Sequence, residues 1–204
     1  MSYSFGVNPI FRLANESDAG QILSIYAPFC EGTAVSFEVT APTIVEMQER
    51  IRRIAAQYPW LVCEAGGHVA GYAYACAHRE RAAYRWSVDV AVYIAETSRR
   101  TGVGRALYAS LFKILALQGY FKAYAGITLP NPASVGLHEA AGFQPVGIYR
   151  GVGYKSGAWH DVGWWALPLQ PECKEPNEPR SVRVIQQTGD WQQALQAGLT
   201  HVRL

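Results

Sequence analysis

Apolar positions change period several times along this chain, and each change marks an element. Residues 8–13 read as a first strand, and Ser17-Asp18 then offers an N-cap to a helix whose apolar face includes Ile22, Leu23, Ile25 and Tyr26. Residues 34–39 are short and β-prone, which predicts a small strand. Thr43 can cap the amphipathic run Ile44, Met47, Ile51, Ile54, which stops before Pro59. Two apolar runs, 60–65 and 68–77, meet at Gly66-Gly67, a dipeptide that tolerates the positive φ angles of a two-residue turn, so they form an antiparallel hairpin. A strand over 86–94 leads through a polar stretch into a helix over 102–118 closed by Gly119. Next come a strand over 122–128, a helix begun by Asn131-Pro132 and running to Gly142, and two strands near 147–154 and 159–169. This order is α/β of the α+β type, with a largely antiparallel sheet.

The pattern lapses after Leu169. Residues 170–180 hold three prolines and three glutamates without apolar periodicity and read as a linker, and 181–204 carry a weak helical segment to which no function is assigned. The expected organisation is one domain over 1–169 followed by a linker and tail over 170–204. With 204 residues, half of them apolar, a single packed core is the default. The net charge is only +2 and the basic residues are interspersed with acidic ones, so no nucleic-acid face is expected. No cleavable leader pattern occurs near the start, and no run approaches the roughly 18 apolar residues of a membrane span. A soluble, cytoplasmic protein with no membrane partner is therefore expected. Cys30, Cys63, Cys76 and Cys173 lie far apart with no CxxC pair, which suggests neither a metal site nor a disulfide framework.

The most informative stretch is Arg99-Arg100-Thr101-Gly102-Val103-Gly104, between a strand end and a helix start. Glycines there let the backbone approach a ligand. The first helix amides have no internal partner, so such a turn binds phosphate, with arginines adding charge-assisted contacts. A lone GxG would merely shape a tight turn. No third glycine follows, as a dinucleotide fingerprint would need, and no Gly-Lys-Ser/Thr follows, as a Walker A loop would need. Placed after Val92-Tyr93-Ile94, the Arg-x-x-Gly-x-Gly pattern resembles the coenzyme A pyrophosphate loop of GNAT acetyltransferases. Asn131-x-x-Ser134-x-x-Leu137-His138-Glu139-x-x-Gly142-Phe143 is similar to the next motif of that family. Tyr58-Pro59-Trp60, Arg81-Ala82-Ala83-Tyr84, Trp86, Leu129-Pro130-Asn131 and Trp159-His160-Asp161-Val162-Gly163 resemble its phosphinothricin and methionine sulfoximine N-acetyltransferase branch.

That resemblance implies a GNAT fold with helices flanking the sheet, in which the fourth and fifth strands run parallel and splay apart. It implies acetyl-CoA as co-substrate. The pantetheine arm would lie along Val92, Tyr93 and Ile94, the pyrophosphate over the Arg99 to Gly104 turn, and Asn131 against the arm from the other side. A homodimer is also implied. Asp89 interrupts an apolar strand where this branch commonly has a basic glutamate. Being one methylene shorter, it reaches the amine either directly or through a water, unless it is a paired structural ion. His138, two helical turns after Asn131, stands where many relatives have a thiolate-protonating tyrosine, and is either a general acid or a histidine satisfied at the core edge. Arg81 offers a planar fork to an acceptor carboxylate with Tyr84 beside it, and Phe37 is a candidate apolar wall. His160 is a rival substrate contact or a surface partner of Asp161. The expected activity is N-acetylation of a small amino-acid-like amine, of phosphinothricin, methionine sulfoximine or sulfone type. The alternatives are a peptide, protein or aminoglycoside amine, or a non-catalytic coenzyme A-binding module.

Overall fold

A computed structural model describes residues 8–204. In chain order its main elements are β1 (Ile10–Leu13), α1 (Ala19–Glu31), α2 (Ile44–Ile54), β2 (Trp60–Ala65), β3 (His68–Ala77), β4 (Ser87–Ile94), α3 (Val103–Gln118), β5 (Lys122–Leu129), α4 (Pro132–Ala140), β6 (Gln144–Lys155) and β7 (Ala158–Pro168). Two short helices follow, α5 (Val182–Ile185) and α6 (Trp191–Gln196). The strands form one sheet of order β1-β2-β3-β4-β5-β7-β6, antiparallel at each pairing except β4 with β5.

That parallel pairing is short. It covers only Ser87 with Lys122, Val88 with Ala123 and Asp89 with Tyr124. Beyond Asp89, β4 stays on β3 as far as Ile94, while β5 stays on β7 as far as Leu129. The sheet therefore forks after Asp89, and one edge of β4 is left without a strand partner.

Alternation along β4 sends Val88 and Val90 into the layer packed under α3, where Leu107, Tyr108, Leu111, Ile114 and Leu115 are buried. Asp89, Ala91 and Tyr93 point to the opposite face, toward α1 and α2, where Trp60, Tyr72 and Tyr74 stack on one another and Tyr72 on Tyr93. Each large apolar side chain taken fully out of water stabilises the fold by about 1.5–3 kcal/mol.

Two local expectations are corrected. Asp18 holds the N-cap position of α1 but does not cap it with its side chain; in the 3-10 turn before it, Asn15 accepts from the Ser17 amide at 2.9 Å and Asp18 accepts from the Asn15 amide at 2.8 Å. Asp18 is held in place by both terminal nitrogens of Arg12, each at 2.7 Å. Nor do residues 34–39 form a strand. Two of their carbonyls, with that of Cys30, turn instead to the buried ammonium of Lys155, which donates to Cys30 O at 2.5 Å, Ser36 O at 2.6 Å and Glu38 O at 2.7 Å. A cation satisfies backbone groups that a sheet ladder would otherwise have taken.

The tail returns to the core. Val182, Ile185, Trp191, Ala194 and Leu195 are buried in the α3 layer. The Gly198 amide donates to Ser110 Oγ at 3.0 Å, and the Arg203 amide donates to Thr101 O at 2.8 Å.

Candidate active site

The fork between β4 and β5 opens a cleft lined by Val90–Tyr93 backbone positions, by Gly126, Ile127 and Thr128 across from them, and by Asn131, Ser134 and His138 at one end. A larger, shallow depression over α2, lined by Glu38, Pro42, Glu46, Arg50 and Arg53, contains none of the candidate residues.

At the far end of β4 the chain makes a 3-10 turn, Glu96–Ser98, then passes Arg100 at φ 64° and Gly102 at φ 84° before entering α3. Only glycine takes the latter angle without strain, and Gly102 supplies no side chain to cap the helix. The first amides of the 16-residue α3 are therefore open to an anion. Thr101 Oγ1 donates to Ser98 O at 2.6 Å, and a side chain at Gly102 would run into the carbonyl oxygen of His201, so the tail backs the turn. Gly104 faces α4, where an added Cβ would lie 3.2 Å from Leu137. Arg99 sits 5.9 Å from the Phe29 ring and 3.9 Å from Glu96. An uncapped helix start beside an open strand edge fits a ligand with a pyrophosphate and an amide-bearing arm, the chemistry of acetyl-CoA. Among the described residues no three His, Cys, Asp or Glu side chains gather as a metal site.

Asp89 stands at the root of the fork, and its Oδ1 lies 2.6 Å from Nδ1 of His78. Burial pushes the Asp89 carboxyl above its usual range, and the hydrogen bond from His78 works against that shift. His78 stacks on Tyr124 with ring centroids 4.4 Å apart and meets Tyr84 and Trp164 edge-on at 5.8 and 6.1 Å. Sequence reasoning missed His78 because no motif contains it. The signal lay in the β3–β4 register: Cys76 pairs with Asp89, so His78, two residues on, is a diagonal neighbour on the same face.

His138 is buried on α4, its Nδ1 2.8 Å from Ser134 O and its Nε2 2.8 Å from Tyr108 Oη. These partners assign the proton to Nδ1, with Tyr108 donating to Nε2. Burial lowers the imidazole below its usual range, the Ser134 carbonyl opposing. Asn131 caps α4 by accepting from the Ser134 amide at 3.1 Å. Tyr84 is brought to Asp89 through His78, and Arg81 starts the 3-10 turn Ala82–Tyr84 that carries it. Phe37 packs on Gly153 of β6 with its ring 6.3 Å from that of His160. His160 Nε2 bonds to Lys155 O at 3.0 Å, while Asp161 accepts instead from Arg150 at 2.5 Å and the Gly151 amide at 2.7 Å.

Parallel strands that part after three paired residues, an uncapped helix start at their end and a half-buried acid at their root define a fold that presents a coenzyme thioester to an acceptor. The profile of the acetyltransferase (GNAT) domain matches residues 11–164, and the chain belongs to that family. It is 40% identical over 176 residues to a phosphinothricin N-acetyltransferase of Streptomyces viridochromogenes, covering 86% of this chain and 94% of the relative. It is 33% identical over 167 residues to an L-methionine sulfoximine/L-methionine sulfone acetyltransferase of Pseudomonas aeruginosa, covering 81% and 97%. A phosphinothricin acetyltransferase from Sinorhizobium meliloti, solved in complex with AcCoA, superposes with a TM-score of 0.80 at 32% identity, over 85% of this chain and 95% of that one.

Proposed function

We propose that this protein transfers the acetyl group of acetyl-CoA to the amine of a small amino-acid-like acceptor of phosphinothricin, methionine sulfoximine or methionine sulfone type. The observation that carries this reading is a half-buried carboxylate, Asp89, at the point where β4 loses its second strand partner. The open α3 amides at Val103 and Gly104, with Arg99, Arg100, Thr101 and Gly102, hold the pyrophosphate. The unpaired β4 edge at Val92, Tyr93 and Ile94 takes the amides of the arm, with Asn131 across from it. Bound there, acetyl-CoA supplies an activated acyl carbon and a thiolate leaving group.

Asp89 supports loss of the amine proton, while His138 lines the other wall with Nδ1–H held by Ser134 O and Nε2 by Tyr108 Oη, so it positions that wall and the departing sulfur takes its proton from solvent. Arg81 and Tyr84 orient an acceptor carboxylate, Phe37 forms the apolar wall, and His160 stands beside it as a further substrate contact. Thiol release over a panel of amines tests the assignment, and Arg81→Ala should raise KM for an amino-acid acceptor yet hardly change it for the same acceptor with its carboxylate amidated. Faster turnover of polyamines or aminoglycosides than of any amino-acid analogue would overturn the acceptor class.

The assembly proposed is a homodimer. β6 is an edge strand, and Val146, Ile148, Tyr149, Val152 and Tyr154 on it, with Trp159 on β7, are exposed apolar side chains on one hairpin. A second copy of the chain would cover them; light scattering that gives a monomer mass at micromolar concentration would exclude it. The proposed compartment is the cytoplasm, where the free thiols Cys30, Cys63, Cys76 and Cys173 stay reduced. Cell fractionation checks this.

A further inference from the structure

Asp89 spends a carboxylate oxygen on an imidazole, and the way that imidazole is held suggests which of the two meets the acceptor. We propose that His78 is the residue that takes the amine proton, with Asp89 as its positioning partner. The inference rests on the acetyl-transfer reading and names the base within it.

Three observations carry it. With Asp89 ionised and the ring neutral, the 2.6 Å contact from Asp89 Oδ1 to Nδ1 assigns the proton to Nδ1, which donates to the carboxylate and leaves the lone pair on Nε2. Among the described residues Nε2 has no hydrogen-bond partner, yet it is not one of the sealed, unpartnered nitrogens, which are Trp60 Nε1 and Trp164 Nε1. A nitrogen that is neither paired nor sealed is open to a ligand. Finally, the ring is clamped next to the point where the strands part. Tyr124, on which it stacks, is the last β5 residue paired with β4, so the imidazole stands beside the last rung before the fork, with Tyr84 and Trp164 at its edges. A ring held on three sides is pre-organised, which a purely structural ion pair does not require.

In the reaction the acceptor nitrogen forms a bond to the acetyl carbonyl carbon and its proton passes to Nε2. The carbon–sulfur bond breaks with its electrons on sulfur, which leaves as thiolate and is protonated by solvent. Asp89 remains ionised and stabilises the imidazolium, which returns its proton to solvent. The titratable and charged groups around the ring are Asp89 on β4, Cys76 on β3, Arg79 next in the chain, and Tyr84 and Tyr124. Burial pushes the Cys76 thiol up to about 11, so it stays neutral across the working range.

Rates of acetylation of a methionine sulfone or phosphinothricin acceptor by His78→Gln and Asp89→Asn, each against pH, test this, together with nitrogen-15 NMR of the free enzyme's imidazoles. His78→Gln should lower kcat by about 10²-fold or more, remove the acidic limb of the pH profile and leave acetyl-CoA affinity within about twofold of wild type. Asp89→Asn should lose less, and added imidazole should restore part of the rate to His78→Ala. The NMR spectrum should show Nδ1 protonated and Nε2 bare. A loss for Asp89→Asn as large as that for His78→Gln, an unchanged pH profile in His78→Gln, or a proton on Nε2 would overturn the proposal. Absence of acetylation by the wild-type enzyme with every amine would instead overturn the acetyl-transfer reading beneath it.

Discussion

Tyr108 Oη on α3 lies 2.8 Å from His138 Nε2 on α4, so the two helices flanking the cleft are tied by one buried hydrogen bond. Tyr108→Phe removes the donor and leaves Nε2 without a partner in the core. The expected cost is about 1–3 kcal/mol of unfolding free energy, measured in urea. A variant as stable as wild type would mean that Nε2 finds another partner.

Stability should also depend on pH through His138. Burial lowers its imidazole below the usual 6.5 while the unfolded chain keeps that value. The native state therefore binds fewer protons, so this contribution is complete above pH 6.5 and is lost as pH falls through the folded value. Between pH 7 and pH 5 the urea midpoint of wild type should fall more steeply than that of His138→Gln. Parallel slopes would show that His138 titrates alike in both states.

Gly104 faces Leu137 where an added Cβ would lie at 3.2 Å, and its amide belongs to the open start of α3. Gly104→Val should keep the helical circular dichroism of wild type and weaken acetyl-CoA binding by at least about tenfold in calorimetry, since the branched side chain blocks close approach of the coenzyme to the turn. Unaltered affinity in a folded variant would place the pyrophosphate elsewhere.

Lys155 holds the 30–38 backbone through three carbonyls, and that stretch carries Phe37. Lys155→Met keeps much of the length but leaves the carbonyls unpaired, at a cost of at least about 2 kcal/mol. If Phe37 walls the acceptor, KM for the acceptor should rise several-fold while KM for acetyl-CoA stays the same. A rise in both, or in neither, would detach this loop from acceptor binding.

Much of this protein was determined by its local sequence, because period and capping chemistry act over a few residues. Thr43 and Glu46 form a reciprocal cap for α2, Gly66-Gly67 turns the β2–β3 hairpin, and Asn131-Pro132 starts α4 where expected. The phosphate-binding turn was legible for the same reason: its glycines and the helix they open are contiguous. What tertiary structure alone decided depends on residues distant in the chain. Residues 34–39 are β-prone, yet Lys155, 119 positions beyond Ser36, takes two of their carbonyls, and no local propensity reports a buried ammonium arriving from another strand. The tail read only as a weak helical segment because a helix as short as Trp191–Gln196 has little stability of its own; α3 stabilises it by burying Trp191, Ala194 and Leu195. His78 became visible beside Asp89 only when β3 and β4 were in register, since two side chains 11 residues apart meet only after the turn between them has closed.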